Sequence, residues 1–370
     1  MQGTAIYRLP YGDGCTCVEG SITELLSCAG LNGRQGFVVA PFQATAHQPI
    51  LLISPDSVQQ LTLPEVEGLP TAAVCHDGPR GHEGVGGSSP SRLHYTIDFA
   101  NFHAQLMAGV FEKIVLARCA AEPNDGRLAP LQLFCRACRL YPRLFVALVT
   151  TPQSGTWLTA TPEVLLEGCG GEWRTMALAG TMRLEGDELA YDWPPTPGGT
   201  GLAAIRWSTK NIQEQRVVAT YITECLEQFT ANFREDGPRT VRAANLVHLR
   251  SDFNFTTPGD DCLGGLLQTL HPTPAVCGLP KGDALNFIVR NEHTPRRYYS
   301  GFMGPLAIQH DREATAVPAT HLYVSLRCMN IARDTYYLYA GGGLMRDSSE
   351  QQEWAETEAK LETMRALIVK

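Results

Sequence analysis

The chain has 370 residues, 44% of them hydrophobic and 18% charged, with a formal net charge of −8. That is ample apolar material for one large core or two ordinary domains. An acidic chain without clustered Lys and Arg argues against general nucleic-acid or anionic-membrane binding, although a local pocket on it can still be basic. Twelve cysteines are scattered along the sequence. Cys135 and Cys138 have CxxC spacing but no second metal-ligand pair at the right distance, and LQLFCRACRLY around them has helical apolar spacing. Both read as small core residues, and the set as free thiols of a reducing compartment. The first residues lack a signal-peptide pattern, and no apolar run approaches the roughly 20 residues of a membrane span, so a soluble, cytoplasmic protein is expected.

In chain order, GFVVAPF and ILLIS read as strands, and DGPRGHEGVGGSSPSR (77–92) as a surface loop. FHAQLMAGVFE has helical spacing, and GVFEKIVLARCA (109–120) reads as a strand. LFVALVT, GTWLTA, VLLEG and TMALAGT continue as strands, followed by the loop EGDELAYDWPPTPGGTG (185–201). A helix begins near Lys210 and carries RVVATYITECLEQFTANF. After the loop IQHDREATAVPAT (308–320) come the strands HLYVSLR and TYYLYAG, then the helix SEQQEWAETEAKLETMRALIV. Strands and helices mix without the alternation of a doubly wound sheet. The expected fold is α+β, a single large domain of stacked antiparallel β-sheets flanked by helices. The first hundred residues are chemically plain, whereas 110–365 hold the unusual polar groups.

Lys113 is the first anomaly, since an unpaired ammonium in a strand that looks like core is very costly. In the last helix Glu353, Glu356 and Lys360 are spaced by three and four residues and share one stripe, beside the Gly-rich AGGGLMRDSS. A solvated face explains such a stripe in an isolated helix; a metal or anion site is the alternative. Val218, Tyr221, Ile222, Cys225 and Phe229 mark the buried stripe of the helix beginning near Lys210, and Glu214 lies on the same side. A carboxylate there either favours the helix dipole or serves as a metal ligand. Mg²⁺ needs only one or two protein carboxylates plus substrate oxygens and waters, so Glu214 and Glu356 would suffice. Arg327 closes HLYVSLR with a planar fork suited to a carboxylate. GTM (180–182) and GGG (341–343) each follow a strand and offer backbone N–H groups to an anion.

These pieces, in this order, resemble the chorismate-utilising enzymes, and among them most closely the isochorismate synthases. The resemblance runs from about Phe111 to the C-terminus and is carried by EKIVLAR, ATPEVLLE, ALAGT, KNIQEQ, LVHLR, LHPTPAVCGLPK, YYSGFMG, VSLR, LYAGGG and EWAETEAKL. It implies a fold shared with anthranilate synthase component I, with residues 1–100 a variable N-terminal part and 101–370 the chorismate-binding catalytic part. It implies that Lys113 is the general base activating water for attack at C2 of chorismate, and that Glu163 is the general acid protonating the departing C4 hydroxyl. Proton removal and proton delivery then fall to two groups on opposite sides of the ring. The 50-residue interval between them agrees with the family's spacing. By the same resemblance Mg²⁺ is held by Glu214 and Glu356, with Glu353 behind them or bridged by water. Arg327 and Tyr299, Lys360, and backbone groups at Gly180, Thr181, Gly341 and Gly343 receive the substrate carboxylates. His248 and Ala275 line the pocket, His248 also being readable as a hydrogen-bonded core histidine.

Lysine at 113, where ammonia-using anthranilate synthases carry glutamine, favours water as nucleophile. Ala179, where aminodeoxychorismate synthases carry a nucleophilic lysine, excludes that branch. Ala275 favours stopping at isochorismate over the further pyruvate elimination of a salicylate synthase, which is the nearest alternative. A non-catalytic chorismate- or metal-binding module is the other, expected only if Lys113 or Glu163 were missing. The chain departs from relatives at Asn211, at Gln215 and after Thr181. A monomer taking a small-molecule substrate, with no nucleic-acid or membrane partner, is expected.

Overall fold

The computed structural model describes residues 1–69, 92–184, 205–243, 246–257, 259, 262–309 and 317–369. The loops expected at 77–92, 185–201 and 308–320 lie wholly or largely outside them. The described strands are β1 (Gln2–Arg8), β2 (Gly14–Leu25), β3 (Gly36–Ala40), β4 (Ile50–Thr62), β5 (Lys113–Pro123), β6 (Phe145–Thr151), β7 (Gly155–Thr161) and β8 (Val164–Cys169). They continue with β9 (Glu172–Arg183), β10 (Phe233–Ala243), β11 (Leu246–Thr256), β12 (Gly278–Leu279), β13 (Phe302–Leu306), β14 (Thr320–Val324), β15 (Cys328–Ile331) and β16 (Thr335–Leu344). The helices are α1 (Leu63–Glu67), α2 (Arg92–Met107), α3 (Pro130–Leu140), α4 (Thr209–Glu227), α5 (Leu263–Leu270), α6 (Lys281–Asn291) and α7 (Glu350–Ile368).

All sixteen strands join one sheet in the order β10-β11-β9-β8-β14-β13-β3-β4-β2-β1-β6-β7-β15-β16-β5-β12. The pairings, such as β1 with β6 and β16 with β5, are antiparallel. The N-terminal strands therefore stand in the middle and tie the two halves together. Tyr7, Phe37, Ile53, Trp157, Met176 and Tyr339 come from strands spread along that order, yet they share one buried cluster. The sheet thus folds over and packs one face against itself, as a single twisted sheet of this length must. Helices cover the outer face: α4 and α5 over one half, α3 and α7 over the other, with α2 and α6 beside β5. The architecture is α+β, as the irregular mix of elements predicts.

Several local expectations change. The helical run FHAQLMAGVFE stops at Met107, because Gly109 takes a φ of 75° and turns the chain; the following strand opens at Lys113 rather than at 109. Helix α4 starts at Thr209 behind a Ser208 N-cap and ends at Glu227, before QFTANF. Strand β14 ends at Val324, so Arg327 lies beyond it in a bend. The glycine motifs at 180–182 and 341–343 lie inside β9 and β16 instead of following them. Among the described residues each of the eleven cysteines is free, and no helix is long and apolar enough to cross a membrane.

Candidate active site

Lys113 is the first residue of β5 and is 0% exposed. Its Nζ stands 2.9 Å from Glu214 Oε1, which projects from the first turns of α4. The charges pair, and the ammonium has no other partner among the described residues. Burial pushes the Glu214 carboxyl up, yet Lys113, Lys210 and Lys360 outweigh it and hold it below the usual carboxylate range. The partner strand makes room for this pair. A Cβ on Gly343 would collide with Glu214 Oε1 and stand 2.7 Å from Lys113 Cε, so only glycine fits there.

Glu163 follows β7 and is 2% exposed. Its carboxyl has no hydrogen bond to a described residue, while its backbone N–H donates to Thr161 Oγ1 at 3.3 Å. Burial pushes its pKa from 4.5 to about 8, against the opposing pull of Lys113, Lys360 and Arg327. The carboxyl is therefore mostly protonated at neutral pH, a proton donor among cations.

Arg327 is fixed by an unusual backbone and by a histidine. Its φ of 46° is strained for a side-chain-bearing residue. The bend is pinned to β7, where Ala160 N–H donates to the Arg327 carbonyl at 3.1 Å and Thr159 Oγ1 donates to the Leu326 carbonyl at 2.9 Å. His248 Nδ1 donates to the Gly180 carbonyl at 3.1 Å. A carbonyl only accepts, so Nδ1 carries the hydrogen and Nε2 is left to accept from Arg327 Nη2 at 2.5 Å. Burial, then Arg327, keep this histidine neutral, well below its ordinary range. Burial pushes Arg327 down to about 10, which leaves it charged at neutral pH.

The bulge that places His248 follows from glycine. Between β11 and β9 the register runs His248 to Thr181 and then Leu249 to Ala179, so Gly180 is the extra residue, with φ 68°. Its missing Cβ lets β9 approach α4, where a methyl would stand 3.1 Å from the Asn211 carbonyl.

Lys360 Nζ donates to the Gly341 carbonyl at 2.9 Å and to Glu356 Oε1 at 2.7 Å. Glu353, 1% exposed, accepts from Ser348 Oγ at 2.7 Å and pairs with Lys210. Burial and then the neighbouring Glu356 push the Glu353 carboxyl up, with Lys210 opposing them. Tyr299 is buried, and its Oη faces the Gly341 backbone. Glu163, Glu214, His248, Tyr299, Arg327 and Lys360, together with Gly180, Thr181, Ala275, Gly341 and Gly343, line one narrow cavity of about 60 Å³. Lys113, Glu353 and Glu356 do not line it; Lys113 lies behind Glu214.

Lys210, without a role in the sequence, and Gln215, marked there only as a departure from relatives, complete the site. Lys210 lies four positions before Glu214 on the same helix face, a spacing that was open to reading. Gln215, one of those departures, is buried. Its Oε1 accepts from Ala179 N–H at 2.9 Å, and its Nε2 donates to the Ala177 carbonyl at 3.2 Å. It thereby locks α4 to β9 without a charge.

The sequence matches the family described as chorismate binding enzyme over residues 84–369. The chain belongs to that family. A salicylate biosynthesis isochorismate synthase of Pseudomonas aeruginosa is 31% identical over 284 residues, covering 76% of this chain and 56% of the relative. The isochorismate synthase MenF of Escherichia coli is 30% identical over 261 residues, covering 70% of this chain and 56% of the relative. The matched region is thus little more than half the length of these relatives. The solved structure of the menaquinone-specific isochorismate synthase MenF from Escherichia coli superposes with a TM-score of 0.76 at 22% identity, covering 99% of this chain and 89% of that one, and so shares the fold. Arg327 and Lys360 put two cations on the cavity lining, side chains whose donors suit a carboxylate.

The donor set also fits a hard divalent cation. Glu353 Oε2 is buried with no hydrogen-bond partner, and both Glu353 and Glu356 reach the Gly342 backbone while Glu214 reaches Gly343. Among the described residues no three His, Cys, Asp or Glu side chains enclose an ion unaided. Two carboxylates completed by substrate oxygens and water meet the ordinary need of Mg²⁺.

Proposed function

We propose that this chain is an isochorismate synthase, isomerising chorismate by adding water at C2 and expelling the C4 hydroxyl. The observation that carries the reading is a buried, raised-pKa carboxyl and a buried lysine at one cavity. Glu163 on the cavity wall holds its proton to about pH 8 through burial, and Lys113 lies buried behind Glu214 of the same cavity. Lys113 takes a proton from the attacking water while Glu163 gives its proton to the leaving hydroxyl, so a water enters and a water leaves. Lys113 serves as a base only when it is released from its ion pair with Glu214. Arg327, held by His248, and Lys360 orient the carboxylates of the substrate, and the Gly180 and Gly341 stretches of backbone flank them.

Glu214 and Glu356, with Glu353 behind them, would hold Mg²⁺, which supplies charge neutralisation for a substrate carboxylate. The free space of about 60 Å³ is narrow for a dicarboxylate of this size, so side chains on its wall, Lys360 among them, shift on binding. The relatives' printed activities are in keeping with this reading, as is lysine rather than glutamine at 113.

Incubation of the chain with chorismate and Mg²⁺, with chromatographic identification of the product, tests the proposal. Isochorismate alone is expected. Salicylate with pyruvate would move the chain to the eliminating class, and absence of turnover would leave a binding module.

A further inference from the structure

A larger cavity, about 510 Å³, adjoins the active site, and Pro162 and Leu178 line both. Its polar lining is dominated by arginine: Arg143, Arg174, Arg239, Arg242 and Arg250. Two carboxylates answer them among the described residues. Glu167 pairs with Arg174 at 2.5 Å, and Asp252 is shared between Arg250 at 2.5 Å and Arg239. Even setting Arg242 aside, four guanidinium groups face two carboxylates, on a chain whose net charge is −8.

Arginine–carboxylate pairs that tie β8, β9, β10 and β11 together account for part of this cluster. They do not account for Arg143. It comes from the turn before β6, across the cavity from those strands, and has no hydrogen bond or ion pair to a described residue. Nor do they account for Arg239 and Arg250 sharing one Asp252. Between the polar groups, which include Thr240 and His321, Leu144, Val164, Met176 and Tyr323 supply apolar wall. A concave space of this volume, with apolar walls and convergent polar groups, has the build of a small-molecule site.

We propose that this cavity binds a small molecule carrying two or more anionic groups on a compact apolar body, with carboxylate or phosphate oxygens met by the arginine forks. The like charges already gathered there supply the attraction, focused by the apolar walls. This inference does not depend on the activity proposed above, because it concerns a different set of side chains.

Titration calorimetry of the full chain with citrate and, separately, with inorganic pyrophosphate tests it. One saturable site per chain is expected with at least one of the two probes. Affinity should fall tenfold or more in Arg143→Ala and in Arg239→Ala, and should be unchanged in Arg327→Ala. Circular dichroism on each variant checks that the fold is kept. Citrate binding with no effect of pyrophosphate assigns carboxylates, and the converse assigns phosphates. Absence of binding by both probes overturns the proposal. So does binding that survives Arg143→Ala and Arg239→Ala but is lost in Arg327→Ala, since the anion would then sit in the active site.

Discussion

Glu163→Gln separates catalysis from stability, and the two should move in opposite directions. A buried carboxyl whose pKa is raised from 4.5 to about 8 keeps its proton in the folded state after the unfolded chain has released it. Its contribution to stability is therefore fully present below pH 4.5 and is lost as pH rises through about 8. At about 1.4 kcal/mol per pH unit, that loss is on the order of 3 kcal/mol at pH 7 and 5 kcal/mol at pH 8. Glutamine keeps the shape and hydrogen-bonding capacity but has no proton to lose, so the variant escapes this penalty. For a chain of this length 3 kcal/mol corresponds to about 4 °C in melting temperature.

Urea unfolding of both proteins from pH 5 to 8.5 should show curves that nearly coincide at pH 5 and diverge steadily, with the variant the more stable. Turnover of chorismate by the variant should fall by about 10²–10⁴-fold, the usual contribution of a positioned acid. In the parent protein, kcat should decline above about pH 8, where Glu163 loses its proton. A stability difference that is flat across the pH range would refute the raised pKa, and an unchanged rate would refute the role of the acid.

Three other perturbations address the surrounding groups. Gly343→Ala forces Glu214 and Lys113 apart and should lower kcat at least a hundredfold with an unchanged circular dichroism spectrum; a variant with normal rate would show that this pair can be displaced without consequence. Gln215→Ala strands the Ala179 N–H and opens the α4–β9 contact, at about 1–3 kcal/mol read from urea midpoints. Chelation of divalent cations should stop turnover, and calorimetry should show that Glu356→Gln weakens Mg²⁺ binding measured without substrate; equal Mg²⁺ affinity in the variant would remove Glu356 from the ligand set.

The parts of the site legible in the sequence were those with a local signature. Lys113 is conspicuous because the apolar run Ile114, Val115, Leu116 and Ala117 follows it directly, and Glu214 and Glu356 are conspicuous because helical spacing fixes their faces. The last helix was read to within a residue for the same reason. What was hidden depends on contacts between distant segments. The place of β1 to β4 in the middle of the sheet rests on the pairing of β1 with β6 and of β3 with β13, which no periodicity encodes. The glycines at 180 and 341–343 looked like turns following strands. They are strand residues whose missing side chains admit Asn211, Tyr299, Glu353 and Glu214 from other elements. Arg327 was placed at a strand end, but the bend that carries it depends on hydrogen bonds from Thr159 and Ala160.

Charge balance gives the Lys–Glu pairs a meaning beyond stability. Each of Glu214, Glu353 and Glu356 has a lysine on it, from Lys113, Lys210 and Lys360 respectively, and Glu163 is mostly neutral. With Arg327, the site holds four formal cations against three anions in a largely dry space. A dicarboxylate entering alone would turn that surplus negative, and a divalent cation entering alone would raise it to three. Both departures are expensive at low effective dielectric. Entering together, the two leave the net charge as it was, and the glutamates can pass from ammonium to metal while Arg327 and Lys360 turn to the substrate carboxylates. On the proposed mechanism, Lys113 then loses its carboxylate partner at the step that needs a base. The ion pairs beside the cavity thereby hold these groups in reserve, on the same mechanism, until substrate and cation arrive.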